Sequence, residues 1–256
     1  MAGGVMESRH SKLIVLLLFA CIIGWIATAS IEQALGVSGA SRNHRSTARK
    51  GRMQLQIEIL KAKIETDSSA KTAADSLNLA GKLEELATLL WQDGRPKEAL
   101  EALTRALALE KQGGAAKDRL IATLNQIASV CRDSSKYNDM HMALRQIQTL
   151  NDHDPATTVE VRIRDRQNIA SCNFLMAVQE DDLLKRKQQL QLTQASMEEL
   201  KRELLTERAI DKLNAGEKSL LATIDDNLSS IFEELGDKSA AKPLKEEAQT
   251  LRSFTR

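Results

Sequence analysis

Four histidines, three cysteines and one dense polar run are the groups in this 256-residue chain best suited to chemistry. A helical metal site would need a pair such as His-x-x-x-His. His10, His44, His141 and His153 offer no such spacing. Cys21, Cys131 and Cys172 have no metal-ligand spacing and are too few for a disulfide framework. Cys131 falls on an apolar helix position, and Cys131 and Cys172 are expected as buried, reduced thiols. Asn151-Asp152-His153-Asp154-Pro155 concentrates polar groups, but Pro155 ends it as a turn leading to a helix N-cap would end. The chain has no Gly-rich phosphate loop, nucleophile elbow or paired-Cys motif. Asn227-Leu228-Ser229 spells a glycosylation sequon but falls within a predicted helix, so it is discounted. The expectation is a non-enzymatic protein without catalytic residues, cofactor or metal.

The elements that would carry these groups are helical. Aromatic residues make up only 3% and prolines number three, while Ala, Leu, Glu, Lys and Gln are abundant. That bias favours helices over strands. With 36 basic and 35 acidic residues, the net charge is +1, which argues against nucleic acid as the main partner. Runs such as Glu180-Asp181-Asp182 and Lys185-Arg186-Lys187 read as an exposed helix face.

Residues 80–113 carry the clearest pattern. With Ala80 as position 1, Leu83, Leu86, Ala87 and Leu90 fall at 4, 7, 8 and 11, and Gly94 at 15. Ala99, Leu103 and Ala106 follow at 20, 24 and 27. Small side chains at 8 and 20 let two antiparallel helices cross closely. Gly94 suits a left-handed helix cap, and Pro96 suits the first turn of the next helix. A second unit begins at Ile121, with Leu124, Ile127, Ala128 and Cys131 at 4, 7, 8 and 11, then Met140, Leu144 and Ile147 at 20, 24 and 27. A third, from Ala222, places Leu228, Ser229, Phe232, Gly236, Ala241 and Ala248 at 7, 8, 11, 15, 20 and 27. Asp225 at 4 and Lys245 at 24 break it.

This spacing resembles the tetratricopeptide repeat (TPR), a helix-turn-helix unit of about 34 residues. The resemblance is closest over 80–113, good over 121–154 and fair over 222–255. Residues 160–213 form at best a degenerate unit, with Asp182 and Arg186 where apolar residues belong. There Leu183, Leu190, Met197 and Leu204 recur every seven residues. Packing within the chain is preferred for them over a coiled coil with another copy.

The N-terminus reads differently. Residues 1–12 form a tail, and Leu13 to Ala29 is a run of seventeen residues without charge. Extended to residue 30, it could span a bilayer as a transmembrane signal-anchor. Ala27-Thr28-Ala29 keeps a cleaved signal peptide in play. Residues 31–52 read as a basic linker with Arg42, Arg45, Arg49, Lys50 and Arg52. Residues 53–66 read as a short amphipathic helix with Met53, Ile57, Leu60 and Ile64 on one seam, and 75–256 as the repeat domain.

The fold expected is therefore all-α: a single transmembrane helix, then an α-solenoid of TPR-like hairpins. The resemblance implies a protein or peptide partner in the groove lined by the first helix of each unit. At the matching positions stand Glu84, Thr88 and Trp91, then Asn125, Ser129 and Arg132. Chaperone-binding members place Lys and Asn where this chain has Glu84 and Thr88, so chaperone-tail binding is not expected. The expected function is a membrane-tethered adaptor, anchored through residues 13–30, whose domain is weighed toward the exported (periplasmic or lumenal) side. The alternative is a homo-oligomerisation module built on the coiled-coil-like helices.

Overall fold

The computed structural model describes residues 39–67, 72–206 and 209–254. Within them every regular element is helical. The chain divides into two units, residues 1–56 and 57–256. Helix α1 covers Gly39–Thr66, then α2 Ala73–Gln92, α3 Pro96–Gln112, α4 Lys117–Asp133, α5 Tyr137–Asp152 and α6 Val159–Gln179. Helix α7 covers Leu183–Thr206, and a 3-10 turn at Ile210–Lys212 leads to α8 at Ala215–Glu234 and α9 at Lys238–Ser253.

Local chemistry sets these boundaries. Thr72 and Asp75 form a capping box at the start of α2, as Asn214 and Glu217 do for α8. The Asp182 carboxylate accepts from the backbone N–H of Leu184 and Lys185 and so caps α7. Pro96 opens α3, where a missing N–H costs nothing. Three hairpin turns end on a residue of positive φ at repeat position 15: Gly94 at 77°, Ser135 at 56° and Gly236 at 86°. Each is followed by a backbone bond back to position 11, Arg95 to Leu90, Lys136 to Cys131 and Asp237 to Phe232, all 2.8 Å. This is the Schellman closure of a helix end.

Packing follows the chain. From α2 onward each helix lies against the next, and α6 also meets α8. The four hairpins α2–α3, α4–α5, α6–α7 and α8–α9 therefore stack in series. Ala87 and Ala99 are 1% and 0% exposed at the first helix crossing, so no larger side chain fits there without separating the axes. At Gly113 an added Cβ would lie 2.9 Å from Leu77 and 3.0 Å from the Ala73 carbonyl, so the end of α3 lies tight against the start of α2. One core joins Leu107, Leu124, Leu144, Ile147 and Cys172 across α3 to α6. Another joins Ile163, Met197, Leu221, Ile224 and Ala248 across α6 to α9.

Three expectations change, and the preferred reading of α7 is decided. Residues 31–52 are not a linker throughout, because α1 begins at Gly39. No proline interrupts this stretch, and Gly51 has open space around it, so Ala and Arg carry the helix through. Repeat units start earlier than the pattern marks: α2 begins at Ala73 and α8 at Ala215, each seven residues before position 1. The seven-residue recurrence in α7 is no coiled-coil seam to another copy: Leu190, Met197, Leu200 and Leu204 are buried in this chain's own core, and only Leu183 is exposed. The expected single-pass membrane localisation is also overturned, since no helix among the described residues is long and apolar enough to cross a membrane. The tail at 1–12 and the proposed anchor at 13–30 lie outside the described residues.

Candidate protein-docking surface

The six residues singled out on the first helices of two hairpins meet different fates. Glu84 on α2 is engaged: its Oε1 accepts from Arg119 Nη2 of α4 at 3.2 Å. Arg119 also donates from Nε to Glu110 Oε1 at 2.6 Å and from Nη2 to the Leu77 carbonyl at 3.0 Å. Burial raises the Glu84 carboxyl above its ordinary range, and the neighbouring Glu110 raises it further, against the pull of Arg119. Glu84 is therefore part of a joint between hairpins. Thr88 is exposed and donates its hydroxyl to the Glu84 carbonyl at 3.0 Å. Trp91 and Ser129 are half-buried, while Asn125 and Arg132 are exposed. Arg132 pairs with its neighbour Asp133, at 3.4 Å. Among the described residues, no hydrogen bond or ion pair links Thr88 or Trp91 to Asn125, Ser129 or Arg132. Thr88, Asn125 and Arg132 are thus exposed, and Glu84, Trp91 and Ser129 are half-buried.

A larger concavity lies on the second helices. A cavity of about 720 Å³ opens between α3 and α5, with Leu124, Ile127 and Cys131 of α4 beneath it. Leu100, Thr104 and Ala108 form one wall, and Asp139, Met142 and Gln146 the other. Met142 is 65% exposed on that wall. Lys111 Nζ donates to Gln146 Oε1 at 3.0 Å and ties the two helices together. Sequence reasoning missed this groove. Nothing in the repeat pattern distinguishes an exposed methionine that lines a cleft from one on an open face.

Polar groups between hairpins form a second feature missed beforehand. Glu110 and Asn151 both stand at repeat position 31 and both are buried. Glu110 receives Arg119, and Asn151 Nδ2 donates to Asp165 Oδ2 at 2.8 Å. Burial raises the Asp165 carboxyl, partly offset by that bond. The shared position was visible in the sequence as two polar residues one unit apart.

The cysteines, the polar run and the sequon make structural contacts. Burial pushes the Cys131 and Cys172 thiols up to about 11, so both stay protonated. The Cys172 thiol donates to the Tyr137 carbonyl at 3.2 Å. In the polar run, Asp154 accepts from the Ala156 N–H at 2.9 Å and pairs with Lys117. It thus forms the turn before Thr158, whose hydroxyl caps α6. Asn227 of the sequon donates to Ser171 at 2.8 Å from within α8. Among the described residues, no group of three or more His, Cys, Asp or Glu could hold a metal ion.

No family model matches the chain, and no curated protein matches it. Solved structures do. A kinesin light chain-type protein of Podosopora anserina with nearly identical TPR-like repeats superposes with a TM-score of 0.57 at 13% identity, covering 83% of this chain and 92% of that one. A variant of the same protein gives a TM-score of 0.57 at 14% identity, covering 82% and 92%. At such identity the likeness establishes the fold alone: an all-helical solenoid of TPR-like hairpins.

Proposed function

We propose that this protein is a non-enzymatic adaptor that docks a partner protein on its helical hairpins. The observation that carries the reading is the apolar groove between α3 and α5, where Met142 stands exposed over a floor supplied by α4. Solenoids of stacked hairpins present extended surfaces of this kind, and a fold built this way supports binding. Contiguous apolar surface rimmed by polar groups marks interaction sites, and Leu100, Ala108, Ile127 and Met142 line this groove together. Trp91, Asn125, Ser129 and Arg132 remain candidates for a second contact face, and Thr88 for its edge. Trp91 is the side chain there with the largest area to contribute.

The test is affinity crosslinking with the full-length chain, comparing three forms. Met142→Asp places a charge in the groove at an exposed position that the core does not use. It is expected to lower capture of the crosslinked partner at least tenfold, with helical content and thermal midpoint unchanged. The pair Trp91→Ala and Arg132→Ala is expected to lower capture less. Equal capture by all three forms would refute the docking reading.

A further inference from the structure

One buried cluster belongs to neither docking face, and it points beyond the adaptor reading. At repeat position 4, Leu83 and Leu124 are 3% and 1% exposed and fill the core. Asp225 occupies that position in the last hairpin and is 0% exposed. Its Oδ1 accepts from Lys201 Nζ of α7 at 2.8 Å, and the same ammonium donates to Glu247 Oε2 of α9 at 2.9 Å. Its other oxygen, Oδ2, is buried without a hydrogen-bond partner. A carboxylate in this setting is poorly solvated, and one cation shared between two anions compensates it only in part.

We propose that the Lys201–Asp225–Glu247 cluster is a proton-operated clasp that holds the terminal hairpin α8–α9 against α7 and tightens as the medium acidifies. Burial pushes the Asp225 carboxyl up to about 6, against the pull of Lys201, while Glu247 and Asp226 add to the rise. Burial alone would lower Lys201, but its bonds to Asp225 and Glu247 outweigh this and leave it above its ordinary value, so the ammonium stays charged throughout. The charged groups acting on Asp225 are therefore Lys201 from α7, Glu247 from α9 and its own neighbour Asp226. On α6, the remaining helix against α8, Arg166 is paired with Glu203 of α7 and Asp165 is bonded to Asn151 of α5.

The sign follows from linkage. Between the ordinary carboxyl value near 4 and a closed-state value near 6, the closed junction holds a proton that the opened one releases. Opening is therefore least favourable below that window and grows easier as pH rises through it, reaching a plateau above. Each unit of displacement is a tenfold change in the opening equilibrium, so about a hundredfold is expected across the window.

The experiment uses the full-length chain. Carboxyl NMR should give Asp225 a titration midpoint near 6; a midpoint near 4 would overturn the clasp. Amide exchange of α8 and α9, corrected for the intrinsic pH dependence, should accelerate about a hundredfold between pH 4 and 7. In Asp225→Asn and in Asp225→Leu, which restores the residue type of Leu83 and Leu124, that acceleration should vanish. Two variants guard against misfolding of either one, and a wild-type profile superposing on both would refute the clasp. Neither outcome bears on capture by Met142, which lies on another hairpin.

Discussion

Ser135 shows how far a single residue departs from its repeat without losing the turn. It stands where Gly94 and Gly236 stand and adopts the same left-handed backbone at φ 56°. A side chain in that region costs about 1–2 kcal/mol, while glycine loses more backbone freedom on folding, by about 0.5–1 kcal/mol. Ser135→Gly should therefore raise stability by up to about 1 kcal/mol, read as a higher midpoint in urea. Gly94→Ala and Gly236→Ala should each lower it by about 1 kcal/mol or more. The equivalence of these three positions was legible in the repeat numbering. Asp225 was legible only as a fault in the pattern. Its partner Lys201 lies 24 residues earlier on an off-pattern helix, and no local spacing announces such a pair.

At the scale of elements, the hairpins with regular spacing were readable because small residues at helix crossings leave a periodic trace. α7 was harder. Its Leu190, Met197 and Leu204 fall every seven residues, a spacing that suits a seam to another copy as well as the preferred stripe within the chain. Burial decides: Met197 is 0% exposed inside the chain's own core. Met197→Ala should cost about 2–5 kcal/mol of stability. Its sedimentation should match the wild type, because no subunit contact is removed. α1 was misread in the opposite sense. Gly39, Ser41 and Asn43 look like linker punctuation, yet without proline they do not stop a helix. In its later half Ile57, Leu60 and Ile64 are buried, and Lys61 lies 3.8 Å from Glu98 of α3. Ile57, Leu60 and Ile64 are thus the buried members of the seam read over 53–66.

For the helical unit as a whole, the likeness to TPR-like structures and the serial packing fix the architecture, whereas the groove between α3 and α5 depends on relations between helices. The groove between α3 and α5 exists because two second helices stand apart over a third. No residue in it breaks the pattern, so spacing alone could not reveal it. The hairpin joints are testable at this scale. Arg119→Ala would leave Glu110 buried without its cation, and bonds to charged groups contribute about 1.5–3 kcal/mol. That loss should appear in urea unfolding. The paired replacement Glu110→Leu with Arg119→Met should recover most of it, since apolar substitutes for buried pairs are often neutral.

The bonds at position 31 also have a mechanical consequence. Apolar faces between hairpins can slide and still remain covered, because hydrophobic contact has no direction. A hydrogen bond does not permit this. Glu110 with Arg119 and Asn151 with Asp165 act as pins along the stack, each setting the angle at which one hairpin follows the last. Removing a pin would leave every helix intact while freeing the pitch of the stack, and with it the spacing between the walls of the groove.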